Sequence, residues 1–369
     1  MGLSEEGYAW KRRSVKEMQE IEPVSSKGED KERKNKRNKK GKCYDLVSYC
    51  DLPDYMKDNE YILDYYRANW PIKVAFFSLF RWHNETLNVW THLIGFGVFM
   101  WLTMVNLMQI PLGVDFLGRF TSRSFPSTPA TFASNNSKNF FLGEAAAVVD
   151  AEKSMNPLDI TMQSSILLAP RWPCFVYLGG SMFCLITSSM CHLFCCHSKR
   201  LNLLLLQFDY VGIAVMIITS FFPQIYYIFQ CNPFWQFVYL SGVTLMGIFT
   251  IVTLLSPVFS TGAFRKFRAF LFVSMGCFGI IPAVHASILH WNEPLRFITL
   301  AYESAMALSY ATGTLFYVSR VPERWKPGWF DLAGHSHQIF HVFVIMGALA
   351  HYGAMLVFLK WRDEVGCTR

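Results

Sequence analysis

The sequence is short of charge. Asp, Glu, Lys and Arg make up 17% of its 369 residues, against roughly a quarter in a typical soluble domain. So few charges cannot keep a chain that is 52% hydrophobic in water, and a disordered chain and a coiled coil are excluded with the soluble domain. The ten cysteines include no CxxC pair, and they are too sparse for a small disulfide scaffold. The apolar runs are continuous, without the alternation of an outer-membrane barrel. No apolar stretch precedes Tyr44, so no cleavable signal peptide is expected and the first span should insert as a signal anchor.

What the sequence does have is long apolar segments. A membrane-spanning helix needs about 20 mostly apolar residues. Seven segments qualify, at 87–108, 172–195, 206–229, 234–258, 267–288, 297–318 and 338–358. Each contains Gly, Ser, Thr or Pro, as membrane helices often do. The expected fold is therefore an all-α membrane protein, a seven-transmembrane helix bundle over 87–358. A basic cytosolic tail (1–51) and a pre-membrane segment (52–86) precede it, and a short external tail (359–369) follows. Within 52–86, Val74 to Phe80 lies between Lys73 and Arg81. It is too short to span and fits a helix lying in the cytosolic interface.

Charge sets the orientation. Half of all Lys and Arg precede Asn84, with the densest run between Lys31 and Lys40. Lys199 and Arg200, then Arg265, Lys266 and Arg268, then Arg320, Arg324 and Lys326 fall in alternate loops. The positive-inside rule puts these loops and the N-terminus in the cytosol and the C-terminus outside or in a lumen. A G-protein-coupled receptor has the opposite orientation. The basic run fits a tail drawn to anionic membrane lipid, or one that is simply solvated. Nucleic acid is not expected as a partner of a chain built mostly of spans. The polar loop 109–171 falls outside and carries the sequon Asn135-Asn136-Ser137. The sequon Asn84-Glu85-Thr86 is cytosolic and should stay bare.

Ionisable groups at membrane depth cost about 2.5–3.5 kcal/mol on insertion scales, so each one invites a functional explanation. His337 and His341 are i and i+4 on one helix and share a face. By orientation His192, Asp209, His337 and His341 all fall within about 10 Å of the cytosolic interface, with Ser188 one turn deeper than His192. Three imidazoles with a carboxylate and a hydroxyl at one depth form the ligand set of a zinc site with an open position. His92 lies near this level as a packing neighbour. His285 and Glu303, near the outer end, could pair with each other, and His351 is deep in the seventh span. His197 and His335 should be solvated. Cys191 and Cys195 read as buried small apolar residues, with Cys195 or Cys196 open to palmitoylation. Cys174, Cys231 and Cys367 fall on the outer side, where a disulfide can form.

The segment His83-Asn84-Glu85-Thr86-Leu87-Asn88-Val89-Trp90-Thr91-His92-Leu93 resembles the signature before the first span of the progestin and adipoQ receptor family. Ser188 with His192, Asp209 in Phe208-Asp209-Tyr210-Val211-Gly212, and Ser336-His337-Gln338-Ile339-Phe340-His341 resemble its second, third and seventh spans. The similarity covers 52–358 and is greatest to plant heptahelical transmembrane proteins, for example in Cys191-His192-Leu193-Phe194-Cys195-Cys196-His197-Ser198 and Val321-Pro322-Glu323-Arg324. The resemblance implies zinc on His192, His337 and His341, accompanied by Asp209 and Ser188. It also implies a receptor-like role; the family includes adiponectin and membrane progestin receptors, and the plant branch is associated with hormone, sugar and stress signalling.

Two functions follow. One is a receptor with structural zinc, a lipid or hormone-like ligand and a cytosolic signalling partner. The other is a ceramidase-like zinc hydrolase of lipid amides, with Asp209 as proton acceptor and Ser188 as a donor to the oxyanion. A transporter would call for inverted repeats and polar groups at the midplane, which the sequence does not display. The membrane in question is the plasma membrane or an endomembrane.

Overall fold

A computed structural model of the chain describes residues 44–108 and 169–367. Most of the basic tail and of the loop 109–171, with Asn135, lies outside the described residues. Among those described the regular structure is helical, apart from one isolated bridge between Val47 and Tyr66.

The interfacial segment forms α1 (Ile72–Phe77) and a 3₁₀ turn to Phe80. It leaves Phe76, Phe77 and Phe80 exposed. The long helices are α2 (Thr86–Met108), α3 (Trp172–Phe194), α4 (Lys199–Ile228) and α5 (Pro233–Leu254), then α6 (Arg265–Phe278), α7 (Ile280–Leu289), α8 (Leu295–Ser319) and α9 (Ser336–Val365). α6 and α7 together are the fifth expected span, so each of the seven segments is helical. The fifth breaks at Gly279, whose N–H turns back to the carbonyl of Gly276 at 3.0 Å. Three residues on, Pro282 has no N–H to return to the helix. α4 starts earlier than its apolar run because Ser198 caps it, its hydroxyl accepting from the Leu201 N–H. α9 continues past Phe358 to Val365.

Among the described residues six segments are long and apolar enough to cross a membrane. The exception is α8, which is equally long but carries Arg296 and Glu303 among Ser, Thr and Tyr residues. It packs along α9, where Gly347 leaves room for the ring of Tyr310; a Cβ there would lie 2.7 Å from that ring.

α3 is the central helix. Its apolar stretch is 56% buried, against 22–33% in the other spans. Tyr177, Leu178 and Leu185 of α3 pack with Phe99 of α2 and with Ala348 and Met355 of α9, all fully enclosed. Gly212 of α4 lets that helix close on α3, since a Cβ would lie 2.6 Å from the Thr187 hydroxyl and 3.1 Å from the Cys184 backbone.

The two ends of the bundle are tied differently. At one end Arg171, before α3, forks onto Asp363 of α9 at 2.8 and 3.1 Å. There Arg362 donates to the carbonyl of Tyr227 at the end of α4, and Cys231 is disulfide-bonded to Cys367. Cys174, the third cysteine expected on this side, is free and faces the Tyr227 hydroxyl at 3.1 Å. At the other end the segment before α1 closes over the helices. Arg67, buried, donates to the carbonyls of His192 (2.7 Å) and Leu193 (3.0 Å) at the end of α3. Asp58 pairs with Arg265, and Glu60 with Arg320.

Candidate metal centre

The site lies where α3 ends and α4 and α9 begin. Glu323 fixes the start of α9. Its carboxylate accepts from the Ser336 N–H at 2.7 Å, from the Ser336 hydroxyl, and from Asn59 at 3.1 Å. An anion at a helix N-terminus satisfies free N–H groups and suits the helix dipole. The start of α9 is thereby held, with His337 in its first turn and His341 in the next.

His192, His337 and His341 each offer one ring nitrogen, and the three lie within 4.8 Å of one another. The Nε2 atoms of His192 and His337 are 3.2 Å apart. Two nitrogens bound tetrahedrally at about 2.0–2.1 Å from one ion would stand roughly 3.3 Å apart. Hydrogen bonds on the far side of two of the rings decide which nitrogen is free. His341 Nδ1 faces the Asn88 carbonyl at 3.2 Å and the Thr91 hydroxyl at 3.3 Å. A carbonyl only accepts, so Nδ1 carries the proton and Nε2 keeps its lone pair. His192 Nδ1 donates to Glu85 Oε2 at 2.7 Å in the same way. Glu85 is held in turn by Asn88 Nδ2 at 2.6 Å. Inward-facing lone pairs, outer nitrogens tied to a carbonyl and a carboxylate, and a His192–His337 spacing close to the tetrahedral value together suit a metal ion.

Ser188 and Asp209 line the same cavity as the three imidazoles. The Ser188 hydroxyl lies beside the buried Asp209 carboxylate. The three imidazoles form one cluster, and Ser188 and Asp209 lie beside each other on the lining of the cavity it opens into. His92 stacks on His341 with ring centroids 3.6 Å apart.

Other expectations change. His285 does not meet Glu303; it faces the Tyr239 hydroxyl at 2.9 Å, while Glu303 lies 3.3 Å from His351. His197 and His335 are not solvated. His197 Nδ1 donates to the Trp70 carbonyl at 2.8 Å, and His335 is buried, its Nε2 facing the Asn84 carbonyl at 3.3 Å. Burial drives the His335 imidazole below its usual pKa. The pre-membrane segment folds over these rings, burying His335 and leaving His197 half-buried. Asn84 is itself buried, in keeping with a bare sequon. Cys191 and Cys196 are buried, and Cys195 is half-buried.

Glu85, Asn88, Thr91 and Glu323 are the site residues that sequence reasoning missed as such. Glu85 carried a signal, as a carboxylate two residues before the first expected span at the depth of three imidazoles. Burial opposes its charge, but His192, as neighbouring charge and hydrogen-bond partner, and then Asn88 outweigh it and hold the carboxyl well below its usual range.

A cavity of about 900 Å³ runs from this site between α3, α4 and α9 on one side and α6, α7 and α8 on the other.

Comparison with known proteins agrees with this architecture. The model of the haemolysin-III-related family matches residues 80–352. Heptahelical transmembrane protein 1 of Arabidopsis thaliana is 56% identical over 323 residues, 88% of this chain and 84% of the relative. Heptahelical transmembrane protein ADIPOR1 of rice (Oryza sativa subsp. japonica) is 53% identical over 329 residues, 87% and 86% of the two chains. The adiponectin receptor protein of Drosophila melanogaster is 34% identical over 309 residues, 83% of this chain and 58% of that one. The chain belongs to the haemolysin-III-related family, which is the progestin and adipoQ receptor family. Within it, the chain is an adiponectin-receptor-like heptahelical protein, integral to the membrane and multi-pass.

Proposed function

We propose that the protein is a membrane receptor acting in hormone, sugar or stress signalling, with zinc held by His192, His337 and His341. One observation carries the zinc reading: imidazoles from α3 and α9 converge, their ligand nitrogens within 4.8 Å of one another and those of His192 and His337 3.2 Å apart. Three nitrogen ligands with two hydrogen-bonded outer nitrogens suit zinc better than magnesium or calcium, which take oxygen. Zinc joins the end of α3 to the start of α9 and steadies the face that a cytosolic partner would read. The ligand is a lipid or a hormone-like amphiphile, because the cavity behind the site is largely apolar and lies within the spans. The Cys231–Cys367 disulfide supports an external or lumenal C-terminus, since disulfides persist in oxidising compartments. The basic loops at the opposite end support a cytosolic metal site. The membrane is the plasma membrane or an endomembrane.

A second reading rests on Asp209 and Ser188. A buried carboxylate and a hydroxyl beside three-nitrogen coordination are the groups that hydrolysis of a lipid amide such as ceramide requires. Zinc would supply Lewis acidity; Asp209 would accept and return a proton, and Ser188 would donate a hydrogen bond to developing negative charge. The deciding experiment measures metal content and ceramide turnover on one purified sample. Stoichiometric zinc without turnover favours the receptor, zinc with turnover favours the hydrolase, and absence of zinc overturns both.

A further inference from the structure

Arg362, in the last turn of α9, is only 3% exposed. Its guanidinium carries five N–H groups. Nε and Nη2 donate to the carbonyls of Tyr227 and Ile228 at the end of α4, and Nη1 donates to the Gly366 carbonyl at 2.9 Å. The other Nη1 hydrogen is left to Cys231 Sγ at 3.1 Å, with Cys367 Sγ further off at 4.0 Å. Among the described residues no carboxylate pairs with this cation. Its chain neighbours Asp363 and Glu364 pair with Arg171 and Lys360 instead.

A disulfide sulfur is neutral and accepts hydrogen bonds poorly. In the oxidised protein one N–H and the buried charge of Arg362 are therefore incompletely answered. A thiolate on Cys231 would answer both, as an anion at hydrogen-bond distance from a guanidinium. Arg362 thus favours the reduced form of the bond, and a thiolate stabilised in this way also leaves faster when the bond is attacked. Both cysteines are exposed, one in the turn between α4 and α5 and the other just after α9, so a reductant reaches them.

We propose that Cys231–Cys367 is a redox-exchange site, a reversible clasp that a dithiol opens and the reverse exchange with a disulfide closes, with Arg362 holding Cys231 as the leaving thiolate. One thiolate of the dithiol attacks Cys367 Sγ. The bond between the two cysteines breaks, and its electron pair leaves on Cys231 beside Arg362. The second sulfur of the dithiol, as thiolate, then attacks the first, and Cys367 leaves and takes up a proton. The dithiol is oxidised to its disulfide and the protein gains two electrons; of the two dithiol protons, one ends on Cys367 and one in solvent. Opening the clasp releases the chain after α9 from the α4–α5 turn. Phe229 of that turn packs on Tyr239 of α5 and His285 of α7.

The test uses the full chain in lipid nanodiscs at pH 7, acid-quenched and alkylated, with the state of Cys231 and Cys367 read by mass spectrometry. Millimolar reduced glutathione should open the bond in the unaltered protein, which structural disulfides resist. In graded mixtures of reduced and oxidised dithiothreitol, Arg362→Gln should need a ratio about ten-fold more reducing for half-opening, the factor equivalent to about one pH unit of thiol acidity. Arg362→Lys keeps the charge and should restore most of the difference. An Arg362 that only holds the backbone predicts the opposite sign, because loosening the turn makes the bond easier to open. After full reduction of the unaltered protein, iodoacetamide should reach its half-maximal rate on Cys231 about one pH unit below that on Cys367. This comparison within one sample stands even where Arg362→Gln fails to fold. A bond that stays closed in glutathione, unchanged or easier opening in Arg362→Gln, or Cys231 titrating level with or above Cys367 each overturns the exchange site.

Discussion

His192 Nδ1 and Glu85 Oε2 are 2.7 Å apart, and this contact turns the opposite nitrogen of the ring toward His337. The contact joins the residue just before α2 to the last turn of α3. A ring held in this way loses little freedom when its inner nitrogen binds an ion, and a carboxylate on the outer N–H makes the inner nitrogen more basic.

Glu85→Gln should therefore weaken zinc binding by about 10–100-fold while the helices stay intact. The amide can still accept from Nδ1–H, but its charge is gone. Competition with a chelator of known affinity gives the value, and circular dichroism reports the helices. Unchanged affinity would remove Glu85 from the site.

Much of this was legible beforehand, for reasons particular to each residue. Continuous apolar runs mark spans because lipid leaves no other way to satisfy the backbone. Opposite helix directions brought His192 and His337 to one depth. The pairings were not legible. Asp58 meets Arg265 and Glu60 meets Arg320 only because the pre-membrane segment folds back over the bundle, and loop charge does not encode that path. Glu303 could be assigned to the outer end but not to His351 over His285, since rotation about the helix axis decides that choice. Even α8 reads differently in detail: its polar residues lower its hydropathy although it packs as one of seven.

His337→Ala should lose zinc, and Ser188→Ala should keep it. The first removes one of three nitrogens, whereas the second removes a hydroxyl that lines the cavity beside Asp209. Metal content after dialysis, with metal-free protein as the baseline, separates the two. Full zinc in His337→Ala would rule the three-histidine site out.

His83, just outside α2, is fully enclosed, and burial followed by the nearby Arg67 charge lowers its pKa from 6.5 to about 3. Between those values the unfolded chain binds a proton at this residue and the folded chain does not. Stability contributed here is thus complete above pH 6.5 and is lost as the pH falls towards 3. His83→Gln should be less stable at pH 7, with the gap to the unaltered protein narrowing as the pH drops to 4. Melting temperatures of metal-free protein across this range test the sign, and a constant gap would contradict it.

The Cys231–Cys367 bond should be reached only from the side opposite the basic loops. After a membrane-impermeant phosphine, an impermeant maleimide should label Cys367 in right-side-out vesicles carrying the protein. Inverted vesicles should stay unlabelled at that residue. Labelling in inverted vesicles alone would reverse the orientation and put the metal site at the outer face.

Asp209→Asn distinguishes the two uses of the site most sharply. The amide fills nearly the same space beside Ser188, so the fold and the three imidazoles should be undisturbed. It cannot take up a proton at neutral pH. In a hydrolase the proton-transfer step then fails, and general acid–base catalysis of about 10²–10⁴-fold is what would be lost. In a receptor there is no rate to lose, and the same change removes one negative charge from the neighbourhood of a cation. Zinc affinity should then fall modestly, with thermal stability following it. Metal affinity, melting temperature and ceramide turnover measured on both proteins resolve the two cases. Turnover that disappears while zinc stays bound assigns Asp209 as the base. A parallel loss of zinc affinity and stability, with no turnover in either protein, assigns it to holding the site together. The receptor reading expects the second pattern, because every contact found around the three imidazoles orients or neutralises them and none requires a reaction.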